Sequence, residues 1–159
     1  MYASIVKQKV RAVFADLSRQ DPEAMLGTLA PSFTYRFLGD TALGGTRTSQ
    51  ATMREWWARV FRLFPGATFT VKDVVVDGWP WSTNVATRVT LEAPNAGGAP
   101  YSNEFLQLMH LRFGKATRIV TIEDSQRLQA KLDEMAAAGV AEAGAAPIED
   151  EAPAVFDRT

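Results

Sequence analysis

The sequence predicts a single α+β domain: helices stacked on one face of a strongly curved, mostly antiparallel sheet, with one pocket between them. Three observations carry this. In three stretches before Pro65, apolar residues recur at three- and four-residue spacings, the period of helices buried on one side. From Thr68 to Glu123 the period falls to two, and β-branched and aromatic residues alternate with polar ones between glycine- or proline-bearing breaks. Aromatic residues lie on the inward positions of both parts, and a curved sheet leaves a gap beneath its helices that such residues turn into a ligand pocket.

Val6, Val10, Val13, Phe14 and Leu17 make the face of a first helix ending near Arg19–Gln20. Asp21-Pro22-Glu23 then reads as N-cap, first helical residue and first-turn acid of a short helix through Leu29, closed by Pro31. Phe33, Tyr35 and Phe37 alternate with Thr34 and Arg36 in a strand whose aromatic face is the odd one. Residues 39–48 hold three glycines and read as a loop. Ser49 caps a third helix, Ala51 to Phe64, burying Met53, Trp56, Trp57, Val60, Phe61 and Phe64. A strand follows from Thr68 to Asp77, with Asp77-Gly78 as a turn signal. The next strands are Thr83 to Glu92, Tyr101 to Phe113 and Thr117 to Glu123, separated at Pro94–Gly98 and at Gly114-Lys115. Asp124 or Ser125 caps a closing helix carrying Leu128, Leu132 and Met135. The domain is thus placed at residues 1–138, and residues 139–159, rich in Ala, Gly, Pro and acidic side chains, read as a mobile tail.

Composition excludes several classes of function. At 159 residues and a formal net charge of −1, the chain fits one domain and lacks the basic field of a dedicated nucleic-acid or anionic-membrane binder. It has no cysteine, which removes disulfides, thiol nucleophiles and thiolate metal sites, and one histidine makes a structural zinc site implausible, so no metal is expected. Met1 to Val10 has no uninterrupted apolar core, so no signal peptide is expected, and no apolar run reaches the ~18 residues of a membrane span. The expected location is the cytoplasm. Phosphate loops, dinucleotide fingerprints and a Ser–His–Asp arrangement are missing.

The order of elements resembles the SnoaL-like, or nuclear transport factor 2-like, superfamily over Ile5 to Leu132. The local carriers are Asp21-Pro22-Glu23-Ala24 with Phe33-Thr34-Tyr35, and Gly44-Gly45-Thr46-Arg47 before Trp56-Trp57. Further along come Phe64-Pro65-Gly66-Ala67-Thr68-Phe69, Val74-Val75-Val76-Asp77-Gly78, and Arg112-Phe113-Gly114-Lys115 leading into Ile122-Glu123-Asp124. The resemblance implies the cone-shaped fold, a small hydrophobic ligand such as a polyketide, terpenoid or aromatic metabolite, cofactor-free chemistry, and a homodimer through the outer sheet face. It implies little about reaction, because the fold hosts many. The ketosteroid isomerase base, tyrosine and acid positions fall on Phe37, Val13 and Met109, which neither shuttle protons nor donate hydrogen bonds. The acid of limonene-epoxide hydrolases falls on Thr121.

With that register, the long strand turns Tyr101, Asn103, Phe105, Gln107, Met109 and Leu111 inward, and the last strand Ile119, Thr121 and Glu123. Glu123 is the first candidate for an acid–base group, since apolar walls raise a carboxyl pKa; the alternative is a rim glutamate paired to Arg118 or Arg127. Asn103 and Gln107 either hold a carbonyl or enolate oxygen or satisfy each other. Tyr35 either donates to a ligand or is a core residue. The catalytic set is therefore Glu123, Asn103 and Tyr35, and the pocket set Phe37, Trp57, Phe61, Gln107, Met109, Ile119 and Thr121. His110 falls on the outward face, Arg88 on the solvated face, and Asp40 in the glycine-rich loop. Two other readings stay open: a non-catalytic binding module, and an interaction protein using Trp79, Trp81 and the acidic tail.

Overall fold

The computed structural model describes residues 1–151. Its elements are α1 (Tyr2–Ser18), α2 (Glu23–Gly27), β1 (Leu29–Phe37), β2 (Gly45–Arg47), α3 (Gln50–Leu63), β3 (Thr68–Trp79), β4 (Ser82–Ala96), β5 (Ala99–Arg112), β6 (Lys115–Glu123) and α4 (Ser125–Ala137), then a 3₁₀ turn at Ala141–Gly144. The strands form one six-stranded sheet in the order β2-β1-β6-β5-β4-β3. Among the described residues, only the β1–β6 pair is parallel. The predicted α+β architecture is the observed one.

The helical faces match the sequence periods. Val6, Val10, Phe14 and Leu17 are buried on α1, and Met53, Trp56, Trp57, Val60 and Leu63 on α3. The Ser49 side chain accepts from Thr52 N at the start of α3, and Asp124 accepts from Arg127 N at the start of α4. Helix α1 is fastened across β3: Arg11 Nη1 donates to Val71 O at 3.0 Å, and Phe69 N donates to Ser18 Oγ at 2.9 Å.

Strand boundaries differ where backbone geometry overrides the local signal. β1 starts at Leu29 rather than Phe33, and Pro31 lies inside it. Pairing with β6 slips between Leu29 and Thr34, so the proline, which has no N–H, sits where the ladder asks for none. β3 runs through Asp77-Gly78, the sequence's turn signal, and turns at Pro80-Trp81. Gly78 has φ +104°, and a Cβ there would lie 2.2 Å from Ser82 O, so the glycine serves a close strand approach instead of a turn. Phe113 and Gly114, both at positive φ, close the β5–β6 hairpin. β2 falls inside the predicted loop; three residues are too few to show a period.

The segment after Gly139 is packed as far as it is described, unlike the mobile tail expected from composition. Ala143 is buried, and residues 146–150 run back along β2 and the start of α3. Val140, Ala143 and Ile148 pack against the core, but long-range hydrogen bonds from the buried Arg47 and Arg59 and from the start of α3 to Asp150 fix the strap's path, and composition does not reveal those. The part of that segment from 152 to 159 lies outside the described residues.

Candidate functional site

The inward faces of β1, β4, β5 and β6 and the buried faces of α1 and α3 enclose a cavity of about 160 Å³. An apolar cavity of about 150 Å³ holds benzene, so this one takes a ligand of about one substituted ring without rearrangement. Its walls are mostly apolar: Val6, Val10, Val13 and Phe14 from α1, Trp56, Trp57 and Val60 from α3, and Phe37, Phe105, Met109 and Ile119 from the sheet. Aromatic rings brace each other around it, Trp57 edge-on to Trp56 at 4.8 Å and Phe14 against Phe105 at 6.0 Å. Phe37, Val13 and Met109 do line the cavity and are apolar there.

Within these walls lie four polar side chains from the sheet: Tyr35, Gln107, Thr121 and Glu123. Strand register sets their spacing. Gln107 lies opposite Thr121 and Phe105 opposite Glu123 across β5–β6, while Phe37 lies beside Thr121 across β1–β6. The odd positions of all three strands are therefore inward, as the alternation predicts.

Glu123 is 8 % exposed, and its carboxyl accepts no hydrogen bond among the described residues. Burial, with a smaller push from the Asp124 charge, raises its pKa to about 8. Neither arginine considered as a partner reaches it. Arg127 donates to Ser102 O and Ser102 Oγ, and Arg118 lies opposite His110 on the outer face.

Tyr35 ends a short polar chain. Gln107 Nε2 donates to Thr121 Oγ1 at 3.0 Å, and Thr121 Oγ1 donates to the Tyr35 hydroxyl at 3.4 Å. Burial pushes the Tyr35 phenol up; the Thr121 hydrogen bond and the Arg47 charge pull the other way. Arg47 is fully buried under the ring, its guanidinium 5.4 Å from the Tyr35 centroid and 4.8 Å from Trp56.

Two sequence candidates are placed elsewhere. Asn103 donates to the Tyr101 hydroxyl at 2.7 Å and to Asp124 O at 3.0 Å, and accepts from Glu104 N at 2.8 Å. Its amide is spent holding the junction of β5 and α4 and does not line the cavity, a correction to its catalytic assignment. Phe61 is half-buried and stacks on Trp57 at 5.5 Å without lining the cavity, so it backs the wall instead of forming it. His110 sits on the outward-facing part of β5, between Ser82 Oγ and Thr117 Oγ1, and Arg88 is paired with Asp73 and Glu104 in solvent. Asp40 is exposed in its loop.

Sequence reasoning missed Arg47, Lys9 and Thr28 as neighbours of the site. Arg47 stands in a glycine-rich run with no period, so no pattern marked it as buried.

Residues 10–119, more than half of the chain, match the SnoaL-like domain family. Among solved structures, PrhC from Penicillium brasilianum is similar at TM-score 0.76 and 20 % identity, over 90 % of this chain and 95 % of that one. TerC, co-crystallised with polyporic acid, is similar at TM-score 0.68 and 22 % identity, over 80 % of this chain and 98 % of that one. IdmH from Streptomyces antibioticus, a candidate polyketide cyclase, gives TM-score 0.65 and 20 % identity over 80 % and 98 %. At these identities the likeness is one of fold. No curated protein matches the sequence significantly. Among the described residues, no helix is long and apolar enough to cross a membrane.

Proposed function

The chain belongs to the SnoaL-like family, and from that premise we propose that it takes a small, mostly apolar metabolite into the cavity and moves a proton on it through Glu123. One observation carries the proposal: a carboxyl group buried in an apolar cavity with no hydrogen-bond partner and a pKa near neutrality. Its burial is unfavourable for folding, and a structural role would supply a partner. The reaction class is cofactor-free isomerisation, cyclisation or dehydration. Glu123 is the acid–base group, and Tyr35, Gln107 and Thr121 are the polar wall that orients the ligand.

Native mass spectrometry with denaturing extraction identifies what the cavity retains. That ligand is then incubated with the protein in D₂O. Wild type is expected to introduce deuterium at one carbon of the ligand, and Glu123→Gln to lose this by at least about 100-fold while binding within about threefold of wild type. Exchange that persists in Glu123→Gln rejects the assignment. Ligand held tightly with no exchange in either protein supports the second reading, a carrier, which the apolar Phe37, Val13 and Met109 in the wall favour.

We also propose a homodimer through the outer sheet face. Leu106, Leu108, Ile122 and Val75 are 51 %, 57 %, 46 % and 63 % exposed there. They are neighbours in register, Leu106 opposite Ile122 and Ala86 bridging Val75 to Leu108. Light scattering is expected to give a dimer for wild type and a monomer for Leu108→Glu, whose buried charges would face each other across a two-fold axis. A monomeric wild type rejects this.

A further inference from the structure

The cavity wall holds hydrogen-bond donors that lack acceptors. The Tyr35 oxygen already receives a hydrogen bond from Thr121, which in turn receives one from Gln107, so the chain runs one way. Among the described residues nothing accepts the Tyr35 proton. Trp57, a second cavity residue, has its Nε1 buried with no partner. A ligand without an acceptor would leave both donors unsatisfied in a dry site.

Behind Tyr35 lies a cation with no carboxylate in direct contact among the described residues. The Arg47 Nη atoms are held by three carbonyls: Gly44 O at 3.0 Å, Gly45 O at 3.0 Å and Ile148 O at 2.7 Å. Carbonyls fix the guanidinium over the rings but carry no net charge to neutralise it. Arg47 makes no salt bridge among the described residues. Glu149 and Asp150 also act on its charge from the strap, but Tyr35 is its largest electrostatic neighbour. In a low-dielectric interior its field therefore reaches the phenol, where it favours negative charge at the oxygen and strengthens the O–H as a donor. The hydrogen bonds arriving from Gln107 and Thr121 polarise it in the same sense.

We infer that the ligand is a carbonyl compound of about one-ring size, its oxygen received by Tyr35, and that Arg47 is a positioning residue acting through the Tyr35 ring. The inference rests on the reading of the cavity as the ligand site. The Ile148 carbonyl ties Arg47 to the C-terminal strap, so the strap is part of the site's support.

The test compares acetophenone with ethylbenzene, which share shape and differ in the oxygen. Binding is measured by ligand-detected NMR, and the carbonyl of ¹³C-labelled acetophenone is followed by infrared spectroscopy. Wild type is expected to prefer acetophenone by about tenfold or more and to lower its carbonyl stretch below the value in water. Tyr35→Phe should remove both the preference and the shift. Arg47→Met should reduce the shift with Tyr35 still present. Arg47→Lys, which keeps the charge on a mobile stem, should reduce it partway, and it carries the test if Arg47→Met does not fold. Equal affinities, or a shift that survives Tyr35→Phe, overturn the proposal while leaving the apolar site intact. A shift unchanged in Arg47→Lys and, where it folds, in Arg47→Met overturns Arg47's part. If neither compound binds, the ligand-site reading itself falls, and the proposal with it.

Discussion

Glu123→Gln is expected to stabilise the fold at pH 9 by a few kcal/mol and to give no stabilisation at pH 5. In the folded protein the carboxyl keeps its proton up to about pH 8, whereas the unfolded chain releases it near 4.5, the ordinary value of a glutamate. Between those values the folded state binds more protons, so each rise in pH favours unfolding. The shift corresponds to a penalty on the order of 3–5 kcal/mol, complete above pH 8 and absent below about pH 4. Glutamine has the same shape and never ionises. It escapes the penalty at high pH but leaves an unpartnered amide, which costs about 1–2 kcal/mol at any pH. The charged neighbour that matters is Asp124; Tyr101 and Tyr35, also within reach, are held neutral by their raised pKa values. Urea unfolding at pH 5, 7 and 9 reads the difference directly. Parallel pH profiles for wild type and variant would mean that Glu123 is solvated, and the acid–base reading would lose its support. The same value sets the direction of the activity profile: a base role makes turnover rise through about pH 8, and an acid role makes it fall there.

What the sequence revealed and what it hid divide along a physical line. Alternation has a period of two, so once Gly114 anchored the hairpin, the inward positions of β5 and β6 followed down to Glu123. Caps are equally local: Ser49 and Asp124 each satisfy N–H groups three residues away, and both stood out from composition. Asn103 marks the limit. It faces inward as expected, yet its amide is consumed by Tyr101 and Asp124, and whether a polar side chain is spent or available depends on partners the pattern does not order. Arg47 and the strap are hidden for a related reason. Their contacts join residues about a hundred positions apart, through carbonyls that any residue type supplies. Gly78 carried a genuine signal for positive φ, but a strand approach and a turn ask the same of a glycine.

The strap is where the largest loss of stability outside the core is expected. Asp150 accepts from Thr48 N at 2.7 Å, Ser49 N at 3.0 Å, Ser49 Oγ at 3.1 Å and Thr52 Oγ1 at 2.7 Å. A side chain a hundred residues away thus supplies a carboxylate at the N-terminus of α3, where the helix dipole favours negative charge. Burial would raise the Asp150 pKa, but the hydrogen bonds from Thr48, Thr52 and Ser49 outweigh it and the pKa is lowered. Its stabilisation is therefore present at neutral pH and lost as pH falls through that depressed value. Asp150→Ala should cost about 2–3 kcal/mol at pH 7, and Asp150→Asn, which keeps one acceptor oxygen for the Thr48 and Ser49 N–H groups but loses the charge and turns the other oxygen into a donor, about half of that. Ending the chain after Gly139 should cost more, on the order of 5 kcal/mol. It also withdraws the Ile148 carbonyl from Arg47 and the Ala146 carbonyl from Arg59, and removes Glu142 from Arg59, leaving two buried guanidiniums under-bonded. Thermal and urea unfolding of the three variants would show the gradation. If Asp150→Ala matched wild type, the strap would be a passive neighbour of α3. If the gradation holds, Arg47 and the Tyr35 ring above it depend on residues far outside the cavity, and the truncated protein should bind acetophenone no better than ethylbenzene.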